Sequence, residues 1–156
     1  MELRFVDPNN QDFADLAAQL DAYYFQLVGE VHLRYAAYNL PQNFNRLAVV
    51  YENDTAIACG CWKALDEETA EIKRIFVLPA HRRKGAATLI LRTLEQDLTA
   101  SGYQRIILET ARTTSDSHAL YLSLGYQEIQ YYGSPAGAEN CRCFEKKIVQ
   151  KGSVSS

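Results

Sequence analysis

Between residues 69 and 101 the hydrophobic pattern changes from that of a strand to that of a helix, and this change constrains the fold most. TAEIKRIFVL carries the β-branched and aromatic residues of a long strand, whereas GAATLILRTLEQDLTAS repeats leucine at helical spacing and stops at Gly102. The apolar strand RIILET follows directly. A strand, a helix and a second strand in close succession are typical of a parallel crossover on a sheet.

The segments before residue 69 predict antiparallel strands and two helices. LRFV reads as a first strand, and the spacing of apolar residues from Phe13 to Leu27 predicts a helix capped by a nearby Asn or Asp. Gly29 interrupts this pattern, and EVHLRYAAYN predicts a second, shorter helix that ends before Pro41. RLAVVYENDTAIACGCWKAL then predicts two strands joined by a polar turn at residues 52–54.

The segments after the crossover complete the predicted fold. SDSHALYLSLG predicts another helix, and YQEIQYY and NCRCFEKKIV predict the last two strands. We therefore predict an α/β (α+β) fold with a mixed, mostly antiparallel central sheet that is flanked by helices on both faces. The 156 residues suit one domain, expected at residues 1–150, and residues 151–156 are expected to form a disordered tail.

The overall charge argues against two classes of partner. The chain has a net charge of −3 and a sequence pI near 5.6, so we expect it to bind neither nucleic acid nor an anionic membrane. No apolar run approaches the roughly 20 residues of a membrane span, and the first residues lack a signal-peptide pattern. A cytoplasmic protein is expected.

The four cysteines form two C-x-C pairs, Cys59/Cys61 and Cys141/Cys143, both within predicted strands. Residues i and i+2 of a strand point to one face, whereas zinc sites favour C-x₂₋₄-C pairs in tight turns. We interpret these cysteines as reduced thiols inside the sheet and expect no metal site.

The residues between the long strand and its helix form a basic turn, HRRKG at residues 81–85. A helix start exposes unpaired N–H groups and the positive end of the helix dipole, and Gly85 would let a ligand approach the backbone closely. The turn is neither a P-loop nor a dinucleotide fingerprint. The turn predicts a phosphate-binding site of another kind, formed by backbone N–H groups. The alternative is a solvated loop without a ligand.

With these residues the chain resembles the GCN5-related N-acetyltransferase (GNAT) family, in its small bacterial form. Val77-Leu78-Pro79 followed by residues 82–87 (RRKGAA) resembles the family's V-x-P turn and its R/Q-x-x-G-x-G/A motif. LYLSLGY at residues 120–126 resembles its L-Y-x-x-x-G-F signature. The segments AEIKRIFV, LET and QYYGSP are similar to a bacterial subgroup of small acetyltransferases. The resemblance extends from about Arg46 to about Val149.

The resemblance implies acetyl-CoA as co-substrate and a sheet that splays between its fourth and fifth strands. Thr114 and Ser117 stand where the family often has asparagine and alanine, at the far end of the cofactor. The family's cofactor contacts correspond here to Phe76, Val77, Leu78, Arg82, Arg83, Lys84, Gly85, Ala86, Ala87, Thr88, Thr114 and Ser117.

Acetyl transfer to an amine requires a stabilised oxyanion, a base for the amine and an acid for the leaving sulfur. The resemblance implies the Val77 N–H for the oxyanion and Tyr121 as the general acid. Glu71 lies six residues before Val77, hence on the same strand face, and is the candidate general base. The alternative for Tyr121 is a core tyrosine without a catalytic role. The alternative for Glu71 is a solvated carboxylate at the end of the strand. His81 and His118 are interpreted as surface residues.

The acceptor side implied by the family is rich in tyrosine, at Tyr23, Tyr24 and Tyr132, with Tyr35, Tyr38 and Tyr131 nearby in sequence. We predict an N-acetyltransferase that moves acetyl from acetyl-CoA directly to a primary amine of a small molecule, an amino acid or a peptide. A CoA- or acyl-CoA-binding sensor without catalysis is the alternative. The oligomeric state, monomer or homodimer, stays open.

Overall fold

The computed structural model describes residues 1–28, 40–112, 114–133 and 141–148. The chain divides into two compact units. The first comprises Met1–Lys63 and Ile72–Leu94, and the second comprises Ala64–Glu71 and the described residues from Glu95 onward. The predicted second helix at residues 30–39 and the tail at residues 151–156 lie outside the described residues.

Seven strands and three α-helices occur in the described residues, in the order that the sequence predicts. They are β1 (Glu2–Val6), α1 (Gln11–Val28), β2 (Arg46–Glu52), β3 (Thr55–Ala64), β4 (Thr69–Val77), α2 (Ala86–Ala100), β5 (Arg105–Ala111), α3 (Ser115–Ser123), β6 (Gln127–Ile129) and β7 (Cys141–Lys147). The strand order is β1-β2-β3-β4-β5-β7-β6, with β4 and β5 parallel and the other neighbours antiparallel. The predicted mixed, mostly antiparallel sheet is confirmed, and its splay stays a prediction.

In the first unit, β1, β2 and β3 form an antiparallel meander. The turn between β2 and β3 places Asn53 at φ 50° and Asp54 at φ 66°, the two positive values that a type I′ hairpin turn requires. Both residue types tolerate this conformation, and the turn's twist matches that of the strands it joins. The polar turn is therefore where the sequence predicts it.

Helices cover both faces of the sheet within the first unit. Phe13, Leu16 and Leu20 of α1 pack into one cluster with Leu47, Val49, Cys59 and Cys61 of β2 and β3. Gly60 points to the opposite face, since side chains alternate along a strand. A Cβ added there would lie 2.7 Å from Ile90 of α2, so only glycine lets α2 approach this closely. The prediction of helices on both faces is confirmed for this unit.

The start of α1 is fixed by a side-chain cap. Asn10 Oδ1 accepts a hydrogen bond from the Phe13 N–H at 2.9 Å, which satisfies one of the unpaired donors of the first turn. Asp12 then accepts a 2.5 Å hydrogen bond from the Tyr51 hydroxyl of β2. These two contacts set where α1 begins and how it lies on the meander.

In the part of the chain that the structure describes, every helix is too short or too polar to span a membrane.

Arg74 interrupts β4 with a left-handed backbone at φ 61°. Such a residue bends a strand as a β-bulge does. Beside it, the carbonyls of Lys73 and Arg74 accept the thiol hydrogens of Cys61 and Cys59 at 3.3 Å. The buried Arg74 guanidinium donates to Asp21 at 2.9 Å and to the Ala17 carbonyl of α1 at 3.0 Å. The irregular strand is therefore tied to α1.

In the second unit, β7 pairs with both β5 and β6 and so lies between them. Lys146 of β7 donates to Glu95 at 2.8 Å and to the Leu124 carbonyl at 2.7 Å, and the Tyr126 hydroxyl donates to the same Glu95 carboxylate at 2.9 Å. The Glu68 carbonyl accepts the N–H groups of residues 104 and 105 just before β5. These contacts hold α3 and the last strands together.

Candidate functional site

The peptide that joins Val77 to Leu78, at the end of β4, is fixed on both sides. The Leu78 N–H donates to the Ile57 carbonyl of β3 at 2.9 Å, and the Val77 carbonyl accepts from Arg82 Nε at 3.0 Å. Phe76, Val77 and Leu78 are the strand-end residues expected to contact the cofactor. Of these, Leu78 already uses its N–H within the protein. The strand end is therefore a rigid element, and the Val77 N–H stays the predicted donor to an oxyanion.

The basic turn forms a concave stretch of backbone before α2. A short 3₁₀ turn at Pro79–His81 leads into Arg83 at φ 64° and Gly85 at φ 92°, and the Leu89 N–H then makes the first helical bond to the Gly85 carbonyl. Left-handed residues within such a turn bring successive N–H groups to one side, a common arrangement for binding anions. A Cβ added at Gly85 would meet no atom within 4 Å, so the space beside this backbone is open.

The start of α2 suits a phosphate-bearing ligand. Ala86 is buried and Ala87 and Thr88 are half-buried, so small residues surround the first free N–H groups of the helix. Arg83 and Lys84 are exposed beside them. The residues present therefore fit the diphosphate of CoA, through amides and the positive end of the helix.

The Arg82 side chain contacts the end of β4 and helix α1. Besides the hydrogen bond to Val77, its guanidinium lies 5.7 Å from the ring centre of Tyr23 in α1 and 5.8 Å from that of Phe76 in β4. Tyr23 in turn packs edge-to-face on Tyr24 at 5.8 Å. Of the predicted acceptor tyrosines, Tyr24 packs against the hydrophobic cluster and Tyr23 faces Arg82. Tyr35 and Tyr38 lie outside the described residues.

In the second unit, two separately predicted site residues are in direct contact. The Tyr132 hydroxyl donates to Glu71 Oε2 at 2.8 Å. Burial, the Glu71 charge and this hydrogen bond all raise the pKa of Tyr132, so its hydroxyl keeps its proton and remains a donor. Glu71 itself is buried rather than a solvated strand-end carboxylate, although Tyr132 as a whole is 38% exposed.

Tyr121 lies in α3 with its ring in an aromatic cluster. The ring packs edge-to-face on Tyr126 at 5.9 Å and contacts Phe144 at 5.8 Å, and it is buried. This is also the packing of a core tyrosine. The role of Tyr121 as an acid stays a prediction.

The turn between β5 and α3 uses its polar side chains within the protein. The Thr114 hydroxyl donates to the Ala111 carbonyl at 2.8 Å and lies 3.0 Å from the Thr110 hydroxyl. Ser117 is half-buried in the first turn of α3. The Thr114 hydroxyl is therefore used within the protein, and the cofactor contacts of Thr114 and Ser117 stay predictions.

The interpretation of His118 as a surface residue is wrong. Its ring is buried against Phe144, its Nε2 lies 2.9 Å from the Ala111 carbonyl, and its Nδ1 lies 3.1 Å from the Arg142 guanidinium. A carbonyl on one side and a guanidinium on the other favour Nε2–H as a donor and Nδ1 as an acceptor. His118 thus closes the β5–α3 turn. His81 is partly exposed, with its Nδ1 3.5 Å from Glu52 Oε2.

The cysteines are free thiols. Burial raises the pKa of Cys59 to about 12, burial and the neighbouring Glu109 raise that of Cys141 to about 12, and burial raises that of Cys143 to about 11. Thiols with such values are protonated at neutral pH and are poor nucleophiles. Within the described part of the chain, no group of three His, Cys, Asp or Glu residues could hold a metal ion.

Sequence reasoning missed Glu109 in β5. Its charge acts on Tyr132 together with that of Glu71, and it hydrogen-bonds the Cys141 thiol. The signal was present in the segment LET, where one acid stands in an otherwise apolar strand.

Comparison with known proteins gives consistent matches to a sequence family, to sequence relatives and to solved structures. The sequence model described as "Acetyltransferase (GNAT) family" matches residues 13–126. The uncharacterised N-acetyltransferase YsnE of Bacillus subtilis is 32% identical over 100 residues, which are 63% of this chain and 66% of that protein. A Klebsiella pneumoniae protein assigned as an acyl-CoA N-acyltransferase superposes with a TM-score of 0.78 at 23% identity, over 95% and 97% of the two chains.

A further solved structure carries a bound ligand. It is an aminoglycoside 6′-N-acetyltransferase complexed with coenzyme A, with a TM-score of 0.72 at 16% identity over 98% of this chain and 100% of that one. At these identities the structural matches show the fold. The matched segments span less than two thirds of the curated relatives, at 66%, 28% and 41% of three of them.

We expect Gly85→Ala to weaken CoA binding beyond its effect on stability. Alanine at φ 92° costs about 1–2 kcal/mol and adds a methyl group where a phosphate would meet the amides. Gly102→Ala is the matched control, because Gly102 has φ 94°, lies after the other end of α2 and also has no atom within 4 Å of an added Cβ. Both variants should lose similar thermal stability, and titration calorimetry should show a raised Kd for CoA only in Gly85→Ala. Equal Kd values for CoA in the two variants would contradict binding of the diphosphate by the backbone N–H groups beside Gly85.

We expect Tyr132→Phe to lower kcat about 10-fold or more, because the Glu71 carboxyl loses the hydroxyl donor that holds it in place. The measurement is the initial rate at saturating acetyl-CoA and acceptor. Tyr126→Phe is the control, because it removes a similar hydroxyl-to-carboxyl hydrogen bond, to Glu95, and should keep kcat near wild type. An unchanged kcat in Tyr132→Phe would mean that this contact does not position a catalytic base.

Proposed function

This chain belongs to the GNAT acetyltransferase family, whose sequence model matches it across residues 13–126, and on that premise we propose that it is an acetyl-CoA-dependent N-acetyltransferase. The acceptor is a primary amine of a small molecule, an amino acid or a peptide. The observation that carries the proposal is the junction from β4 to α2, where a fixed strand end, an open glycine backbone and a basic helix start follow one another within ten residues. The resemblance read from the motifs is confirmed at the level of the family.

The donor is held, in this proposal, by the backbone more than by side chains. The N–H groups at the start of α2 bind the diphosphate, and Arg83 and Lys84 add positive charge at the rim. Acetyl-CoA supplies an activated thioester. Residues 76 and 77 lie along its pantetheine and acetyl end, and the Val77 N–H donates to the carbonyl oxygen as negative charge develops there.

The acceptor amine attacks the acetyl carbonyl directly. A nitrogen–carbon bond forms, the carbon–sulfur bond breaks, the amine loses one proton and the sulfur gains one. We assign removal of the amine proton to Glu71, directly or through water, and protonation of the sulfur to Tyr121. The protonated, high-pKa thiols of Cys59, Cys141 and Cys143 support transfer without an acyl-cysteine intermediate.

One observation favours the second candidate, a CoA or acyl-CoA sensor without catalysis. The Tyr121 ring is packed between Tyr126 and Phe144, as a purely structural tyrosine would be. The buried Glu71 carboxyl with its dedicated hydroxyl donor favours catalysis instead, because an unused buried carboxyl is costly to keep. Free thiols also support a reducing, cytoplasmic setting for the reaction.

We expect a screen of amines, amino acids and peptides with acetyl-CoA to give an acetylated product by mass spectrometry, and Tyr121→Phe to lower kcat for that amine about 100-fold or more. The KM for acetyl-CoA should stay near wild type, because the lost proton donor acts mainly in the transition state.

Tyr126→Phe is the matched control for this substitution. Its hydroxyl binds Glu95, so the variant should lose stability and keep kcat. CoA binding with no product from any amine would favour the sensor. A Tyr121→Phe enzyme within about threefold of the wild-type kcat, where chemistry limits the rate, would remove Tyr121 from the mechanism.

A further inference from the structure

Arg82, in the basic turn, contacts the end of β4 and one residue of α1. Its Nε donates to the Val77 carbonyl, and its guanidinium plane lies near the rings of Phe76 and Tyr23. The family resemblance implies that Arg82 contacts the cofactor together with Arg83 and Lys84. The observed contacts bring its charge instead beside Val77, the residue assigned to the reacting acetyl group.

The guanidinium is prepared to bind an anion. Nε donates to a backbone carbonyl, which sets the direction of this exposed group, and two aromatic rings lie within cation–π distance of it. Among the described residues, no acceptor contacts its two Nη groups within hydrogen-bond distance. Arginine with two parallel N–H groups available favours a planar, bidentate partner, and a carboxylate has that shape.

We propose that Arg82 binds the carboxylate of the acceptor and that the acceptor is an α-amino acid. This inference rests on the proposed function and narrows its substrate class. In the proposed function the diphosphate of CoA binds the amides at the start of α2, beside the exposed Arg83 and Lys84, so it does not require Arg82.

The position of the guanidinium sets the size of the acceptor. Arg82 Nε lies 3.0 Å from the carbonyl of Val77, whose own N–H is the proposed oxyanion donor. A carboxylate on Arg82 is therefore close to the acetyl carbon. An α-amino acid has its amine one carbon away from its carboxylate, which matches this short separation, whereas the carboxylate of a long peptide lies far from its amine. Tyr23 beside the guanidinium offers a ring for an apolar side chain.

The test uses pairs of acceptors that differ only in charge. The full-length protein with acetyl-CoA is given L-phenylalanine, L-leucine and L-methionine and, separately, the primary amide of each. The amides have the more weakly basic amines, so chemistry alone would favour them. We expect wild type to favour the acids, and Arg82→Gln to reduce the acid-to-amide ratio of kcat/KM about 10- to 100-fold, the loss of a bidentate charged contact. Glutamine can still donate to the Val77 carbonyl.

Arg83→Gln is the matched control. It should raise the KM for acetyl-CoA and leave the acid-to-amide ratio unchanged, whereas Arg82→Gln should change the ratio more than the KM for acetyl-CoA. The opposite pattern would overturn the proposal and return Arg82 to the cofactor phosphates.

A binding measurement on the wild-type protein covers the case in which Arg82→Gln does not fold. With CoA bound, each acid should raise the melting temperature more than its amide does. Equal shifts of the melting temperature for acid and amide, or faster acetylation of the amides, would overturn the assignment of an amino-acid acceptor. Formation of an acetylated product would still support the acetyltransferase activity. No CoA-induced shift at all would overturn both.

Discussion

The functional architecture depends on the peptide between Val77 and Leu78, which is held from both sides. The Ile57 carbonyl accepts a hydrogen bond from the N–H of this peptide, and the Arg82 guanidinium donates one to its carbonyl. The last residues of β4 therefore cannot rotate freely. The direction in which the chain leaves the strand follows from this, as does the short path to the start of α2. A donor N–H at Val77 is useful for catalysis only if its position is fixed before the substrate arrives.

The other half of the proposed chemistry depends on a second fixed contact, the hydrogen bond from Tyr132 to Glu71. A buried carboxyl can rotate or change protonation unless a donor restrains it, and the Tyr132 hydroxyl keeps its proton because its pKa is raised. The contact joins a residue of β4 to one that follows β6, far apart in sequence. It accounts for a buried acid in the second unit that packing alone would disfavour.

Hydrophobic patterns predicted most of the secondary structure, because α1, the β2–β3 turn and α2 follow local rules of spacing and turn chemistry. The placement of β7 between β5 and β6 depends on long-range pairing that no local pattern records. The left-handed Arg74 and the burial of His118 were missed for the same reason, since each depends on partners in distant segments. Motif spacing predicted the phosphate turn and its family, whereas the direction of Arg82 depends on Tyr23 in α1.

A crystal structure of the protein with acetyl-CoA would test the proposed roles of Val77 and α2. We expect the acetyl oxygen within about 3 Å of the Val77 nitrogen, and the diphosphate on the N–H groups at the start of α2. We also expect Arg82 to keep its hydrogen bond to the Val77 carbonyl and to make no contact with phosphate. Acetyl-CoA bound with its thioester away from Val77, or with its diphosphate on Arg82, would contradict these roles.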